Sequence, residues 1–189
     1  IDVLEQTTSA PVGDYNNDGW SDIFVVRYGN SAMENEQILY LNQGGKKFVR
    51  STTHGVISTE LGATGGGADA FDYDQDGDLD LLYGHERGRW HLFTNNGSKD
   101  NNYVVVKVGN SLSNRATPLG AVLTFNACGN VYKRVVGQTS APFSQNANHY
   151  LHVGLGQCNK VENAQVIWPT GEQHTFSIDR VNTTVVAGF

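Results

Sequence analysis

Residues 13–26 read GDYNNDGWSDIFVV, and residues 71–84 read FDYDQDGDLDLLYG. Each stretch is an aspartate-rich loop that runs straight into an apolar segment. The pattern D-x-[DN]-x-[DN]-G sets oxygen-bearing side chains at alternate positions of a tightly curling loop, which suits a hard cation taking 6–8 oxygen ligands. In the first copy Asp14, Asn16 and Asp18 supply them; in the second, Asp72, Asp74 and Asp76. Gly19 and Gly77 stand where the backbone must adopt a conformation that side chains resist. The next ligand is expected from the backbone carbonyls of Trp20 and Asp78, and Asp22 and Asp80 close the loops with both oxygens. The closing acid falls at the ninth position instead of the twelfth, and β-formers follow it, so the loop joins two strands rather than two helices. Each loop is therefore read as holding one Ca2+. Magnesium fits less well, because it prefers six ligands with several waters.

The duplication extends further. Leu39-Tyr-Leu-Asn-Gln-Gly44 matches Leu92-Phe-Thr-Asn-Asn-Gly97. A unit of over fifty residues, made of short strands and turn residues, predicts a propeller-like blade. The first copy is 5 residues longer between the closing aspartate and the third strand, and the extra residues fall in Gly29–Gln37.

Beyond about residue 101 the pattern changes. Tyr103–Val108, Ala121–Phe125, Val131–Val136, Ala164–Trp168, His174–Ile178 and Thr183–Val186 predict strands separated by Gly, Asn and Pro. No segment keeps a helical period. The fold class expected is all-β: two propeller-like calcium-binding repeats over 1–100, packed on an antiparallel sandwich or barrel module over 101–189.

Charge divides along the same line. Residues 1–100 carry 16 acids against 7 bases, net −9, and residues 101–189 carry 3 acids against 6 bases, net +3. Clustered carboxylates repel unless cations neutralise them. No basic stripe speaks for a nucleic-acid partner. No run of about 18 apolar residues predicts a membrane span. A start at Ile1 fits a mature chain whose leader was removed, or an excised fragment. Cys128 and Cys158 are consistent with one disulfide in an oxidising compartment, closing a loop within the second module or, alternatively, joining two subunits. The chain reads as secreted. His149 and His152 lack a third ligand at a sensible spacing for zinc, and no nucleophile, base and oxyanion-donor constellation marks an enzyme.

The aspartate loops resemble the FG-GAP or VCBS calcium repeats of integrin α-subunit propellers. Asn114-Arg, Gly120-Ala-Val122, Ser144-Gln145, His152-Val-Gly-Leu-Gly156 and Val166-Ile-Trp-Pro-Thr-Gly171 resemble the ASPIC/UnbV domain. The two modules occur together in the cartilage acidic protein family, usually with many more repeats. Two blades cannot close a ring, so a homodimer is expected to cover their exposed sides. The shortened architecture is similar to small secreted, dimeric, galactose-binding lectins of marine invertebrates. That resemblance implies a calcium-dependent lectin for glycans ending in β-galactose; the alternative is an adhesion or matrix module that binds protein. The loops Gly29–Gln37 and Gly84–Arg89 open opposite the aspartate loops and bring Glu34, Glu36, Gln37, His85, Glu86, Arg87 and Arg89 towards one face. Glu36 and Glu86 are read as helping to hold a third, open calcium, His85 and Arg89 as bonding the sugar, and Trp90 as stacking on it. The weaker arrangement places the sugar on an aspartate-loop ion with Trp20 as the platform.

Overall fold

A computed structural model describes residues 7–27, 37–56, 65–85, 89–97, 100–137 and 149–189. Among them every regular element is a β-strand, so the all-β class holds. The described residues divide into two compact units. One takes in residues 7–15 and those from 20 to 97; the other takes in residues 16–19 and those from 100 onward.

The first unit contains the repeats. In the first copy β1 (Thr7–Ser9) and β2 (Val12–Gly13) both pair with β3 (Asp22–Arg27), which continues antiparallel through β4 (Ile38–Asn42) to β5 (Phe48–Arg50). In the second copy β6 (Gly65–Phe71), β7 (Asp80–His85) and β8 (Trp90–Phe93) form a three-stranded antiparallel meander. The aspartate loops join β2 to β3 and β6 to β7. Register repeats as well: Phe24 faces Leu39, and its equivalent Leu82 faces Leu92. Side chains alternate along a strand, and this alternation sends Phe24 and Val26 from β3 and Leu81 and Tyr83 from β7 into one shared core with Tyr15, Val56, Ala68 and Leu79. β6 carries three consecutive glycines, which argue against a strand on propensity. Its pairing with β7 and the burial of Ala68 hold it in place.

The second unit is a sandwich of two sheets. One has the order β11 (Asn130–Val135), β10 (Val122–Ala127), β13 (Glu162–Ile167), β14 (Gln173–Phe176); the other has the order β12 (Tyr150–Gly156), β9 (Asn102–Val108), β15 (Thr183–Ala187). No barrel closes among the described residues, which corrects that half of the expectation. Val104, Val106 and Val108 of β9 meet Leu123 and Phe125 of β10, Val153 of β12 and Val166 of β13 in a single core. Trp168 fills its end, and its indole N–H donates to the Gly109 carbonyl at 3.1 Å. β12 carries Gly154 and Gly156, residues with low strand propensity. It is nevertheless paired along its length with β9.

Cys128 and Cys158 form the disulfide, within this one chain and this one unit, with Cα atoms 5.9 Å apart. Cys128 sits with Gly129 in the two-residue turn between β10 and β11, both at positive φ (45° and 83°), as that hairpin turn requires. A closed loop spanning 30 residues stabilises the fold by about 3–4 kcal/mol in the chain-entropy estimate.

Candidate metal centres

The two aspartate loops share one backbone path. Gly19 and Gly77 both have φ near +94°, and Asn17 and Gln75, two residues earlier, have φ of 56° and 62°. Glycine accommodates the positive φ at 19 and 77 without strain, whereas Asn17 and Gln75 take the left-handed conformation with a side chain in place.

The closing aspartates are held alike. Asp22 Oδ2 accepts the Tyr15 N–H at 3.0 Å, and Asp80 Oδ2 accepts the Tyr73 N–H at 3.0 Å. Their Oδ1 atoms accept the N–H groups of Asn42 and Asn95, each at 2.8 Å. Both oxygens of each closing carboxylate thus already take a backbone hydrogen bond. A carboxylate offers about four lone-pair sites, so each retains capacity for a cation while the backbone fixes its orientation.

Loop two gathers its acids. Ligand atoms of Asp72, Asp74 and Asp80 all lie within 4.8 Å of one another, the one such group of three among the described residues. Asp76 stands outside it; its Oδ1 accepts the Asp78 N–H at 2.9 Å. Asp72 Oδ2 takes the Gly77 N–H at 3.1 Å, whereas Asp72 Oδ1 is buried with no hydrogen-bond partner. A buried carboxylate oxygen without a partner is costly, and a cation held in the cluster would satisfy it. Burial raises Asp72 above the usual carboxylate range, and the charges of Asp76 and Asp80 add to the shift. Burial raises Asp80 too, with Asp74 and Asp76 contributing. Crowded, partly desolvated carboxylates that resist ionising fit a divalent cation of the oxygen-seeking kind.

Loop one is built differently around its tip. Asn16 Nδ2 donates to Asp18 Oδ2 at 3.0 Å, and the Asp18 N–H donates to Asn16 Oδ1 at 3.2 Å. Asp14 and Asp22 are buried. Trp20 is 42% exposed, and its ring lies on Gly45, where an added Cβ would meet the ring at 2.6 Å.

Asn42 and Asn95 went unrecognised as part of these loops, although the match between the segments containing them was visible. Besides their N–H bonds to the closing aspartates, Asn42 Nδ2 donates to Ser21 O at 3.0 Å, and Asn95 Nδ2 donates to Leu79 O at 3.2 Å. In both copies the carboxamide grips the carbonyl just before the closing aspartate. Recurrence of the asparagine at the same place in both copies was the signal that could have found them.

On the other side of the blades less is described. Glu34, Glu36, Glu86 and Arg87 lie outside the described residues, as does the side chain of His85. Arg89 is exposed. Trp90 is 69% exposed and packs on Gly84, where an added Cβ would come within 2.9 Å of the ring. Gln37 does not belong to an exposed face: it is 1% exposed, its Oε1 accepts the Arg27 N–H at 2.7 Å, and its amide lies 3.5 Å from the Tyr83 hydroxyl. The end of β3 needs a backbone partner there, and Gln37 supplies it.

Residues 14–83 match the family model described as FG-GAP-like repeat, and residues 110–188 match the one described as ASPIC and UnbV. A comparison with curated proteins finds no match. FG-GAP-like repeats commonly bind calcium, and together with the disulfide they point to an extracellular protein. Among the described residues no helix is long and apolar enough to cross a membrane. The chain carries FG-GAP-like repeat and ASPIC/UnbV domains, with an acidic cluster able to hold a metal ion.

Proposed function

We propose that this chain is a secreted, non-enzymatic protein that takes up one calcium ion in each aspartate loop and binds carbohydrate in a calcium-dependent way. The observation that carries the carbohydrate reading is Trp90. It is a large aromatic, 69% exposed, whose ring packs against Gly84. An apolar sugar face lies well on such a ring. β-Galactosides are the first class to test, because the cis 3- and 4-hydroxyls of galactose can replace two waters on one calcium. In this reading Glu36 and Glu86 help to hold that third ion, and His85 and Arg89 bond the sugar. A homodimer presents two such sites and crosslinks glycans; light scattering at 20.6 kDa would remove that part.

The deciding experiment is a glycan array run with calcium and with excess chelator, repeated for Trp90→Ala, Glu86→Gln and Trp20→Ala. Calcium-dependent galactoside binding, lost in the first two variants at unchanged melting temperature, supports the site. Loss in Trp20→Ala alone moves it to the aspartate-loop face. Absence of sugar binding in the unaltered chain leaves the second reading, an adhesion or matrix module, which the FG-GAP-like repeat favours.

A further inference from the structure

Asn95 does something that its counterpart Asn42 does not. Both donate their main-chain N–H to the closing aspartate of their own copy and grip the preceding carbonyl with Nδ2. Asn95 Nδ2 also donates to Tyr15 O, at 2.7 Å. Tyr15 belongs to the other aspartate loop, and its own N–H is bonded to Asp22. One carboxamide therefore spends its two N–H groups on two different loops. The path runs from the Asp80 carboxylate through Asn95 to the peptide groups of Tyr15, and from there to the Asp22 carboxylate.

We propose that Asn95 couples the two calcium loops, so that filling one tightens the other; this rests on the reading that both loops take calcium. A cation drawn between Asp72, Asp74 and Asp80 fixes the Asp80 carboxylate. That fixes the Asn95 main chain, and the carboxamide then holds Tyr15 in place beside Asp14 and Asp22. Ordering that loop one would otherwise have to undergo on binding has already occurred, so its ion binds more tightly. Linkage makes the effect equal in the reverse direction. Asn42 is the internal control, since among the described residues its carboxamide bonds only within its own copy. Spatial continuity alone does not establish coupling, so the test measures it as a cycle.

The experiment is a calorimetric calcium titration of the full chain. Asp74→Ala disables loop two at an exposed position, leaving loop one to be measured alone. Its affinity is expected to fall about fivefold or more relative to loop one of the unaltered chain. In an Asn95→Ala background the same Asp74→Ala change is expected to move loop one by less than about twofold. In an Asn42→Ala background its effect persists in full. If Asn95→Ala fails to fold in chelator, Asn95→Ser takes its place, because serine has one O–H and cannot serve both carbonyls. Two ions that bind independently in the unaltered chain, or a cycle indifferent to residue 95, overturn the coupling and leave calcium binding intact. No calcium uptake by the unaltered chain overturns both.

Discussion

Loop one and loop two begin from the same nine-residue pattern and the same backbone path, yet their tips meet different surroundings. In loop one Asn17 is fully buried; its carbonyl accepts the Gly156 N–H at 2.7 Å, and the neighbouring Asn16 carbonyl accepts Asn101 Nδ2 at 2.8 Å. In loop two the corresponding residues, Tyr73–Asp76, are exposed. Local sequence sets the curl of each loop and the hold on its closing aspartate. Residues far along the chain decide whether the tip is fixed in the fold or open to solvent. The tip of loop one therefore has its order supplied by the protein, while the tip of loop two relies more on its ion.

Calcium removal should separate the loops most. A ligand at a hundred times its dissociation constant stabilises by about 2.7 kcal/mol per site, so chelation of two sites should lower the melting temperature by several degrees, with calcium restoring it and magnesium doing so poorly. Amide exchange in chelator should rise sharply at residues 72–80 and little at residues 16–19. Equal exchange in both loops would break the comparison, and an unchanged melting curve would remove calcium from both. The next effect sets Asn17→Ala against Gln75→Ala. The first exchanges asparagine, which tolerates the left-handed region, for alanine, which does not, and removes a buried amide, at a cost of about 1–3 kcal/mol. The second exchanges one exposed left-handed residue for another and should stay within about 0.5 kcal/mol. Urea unfolding in saturating calcium measures both.

Acid should narrow the gap between calcium-loaded and calcium-free protein. Asp72 and Asp80 are raised in the metal-free fold, chiefly by burial. Ionised, they oppose the metal-free fold, and that penalty is relieved as pH falls through their raised values. Calcium needs the same carboxylates ionised, so the loaded form loses affinity over the same window, above the ordinary aspartate value of about 4. Melting temperatures with and without chelator should converge from pH 7 downwards; a gap that widens instead would be contrary to the sign of both shifts. The smallest effect expected is from Gln75→Asn. Asparagine tolerates the left-handed region better than glutamine, so loop two should gain a few tenths of a kcal/mol, about 0.5 at most, visible as a slight rise in melting temperature.

Local features were legible in the sequence. The loops announce themselves because ligand spacing and the following glycine lie within nine residues. Six strands of the second unit could be read from β-branched runs such as Tyr103–Val108 and Thr183–Val186. Features set by distant partners could not. β6 and β12 are strands despite their glycines, because β7 and β9 supply their hydrogen bonds. Gln37 looks like a surface residue beside Glu36, and its bonds to Arg27 and Tyr83 explain why it is buried. Asn42 and Asn95 act on aspartates 20 and 15 residues away, and no spacing rule within a single copy points to that.

The parallel pairing of β15 with β9 bears on how the second unit is made. β9 lies at the centre of its sheet, with Val104, Val106 and Val108 all fully buried. One flank is β12; the other is β15, whose entry is fixed by mutual bonds between Tyr103 and Asn182, 79 residues apart. Gly109 and Asn110 then bond to Ala187 and Phe189 in turn. A ribosome delivers β9 long before its second neighbour exists. Until Thr183–Ala187 emerges, the central strand of this sheet has an open, apolar edge able to pair with another nascent chain. Completion of the unit thus waits for β15, the last of its strands in chain order, and removal of residues 183–189 should yield insoluble protein rather than a weaker version of the same fold.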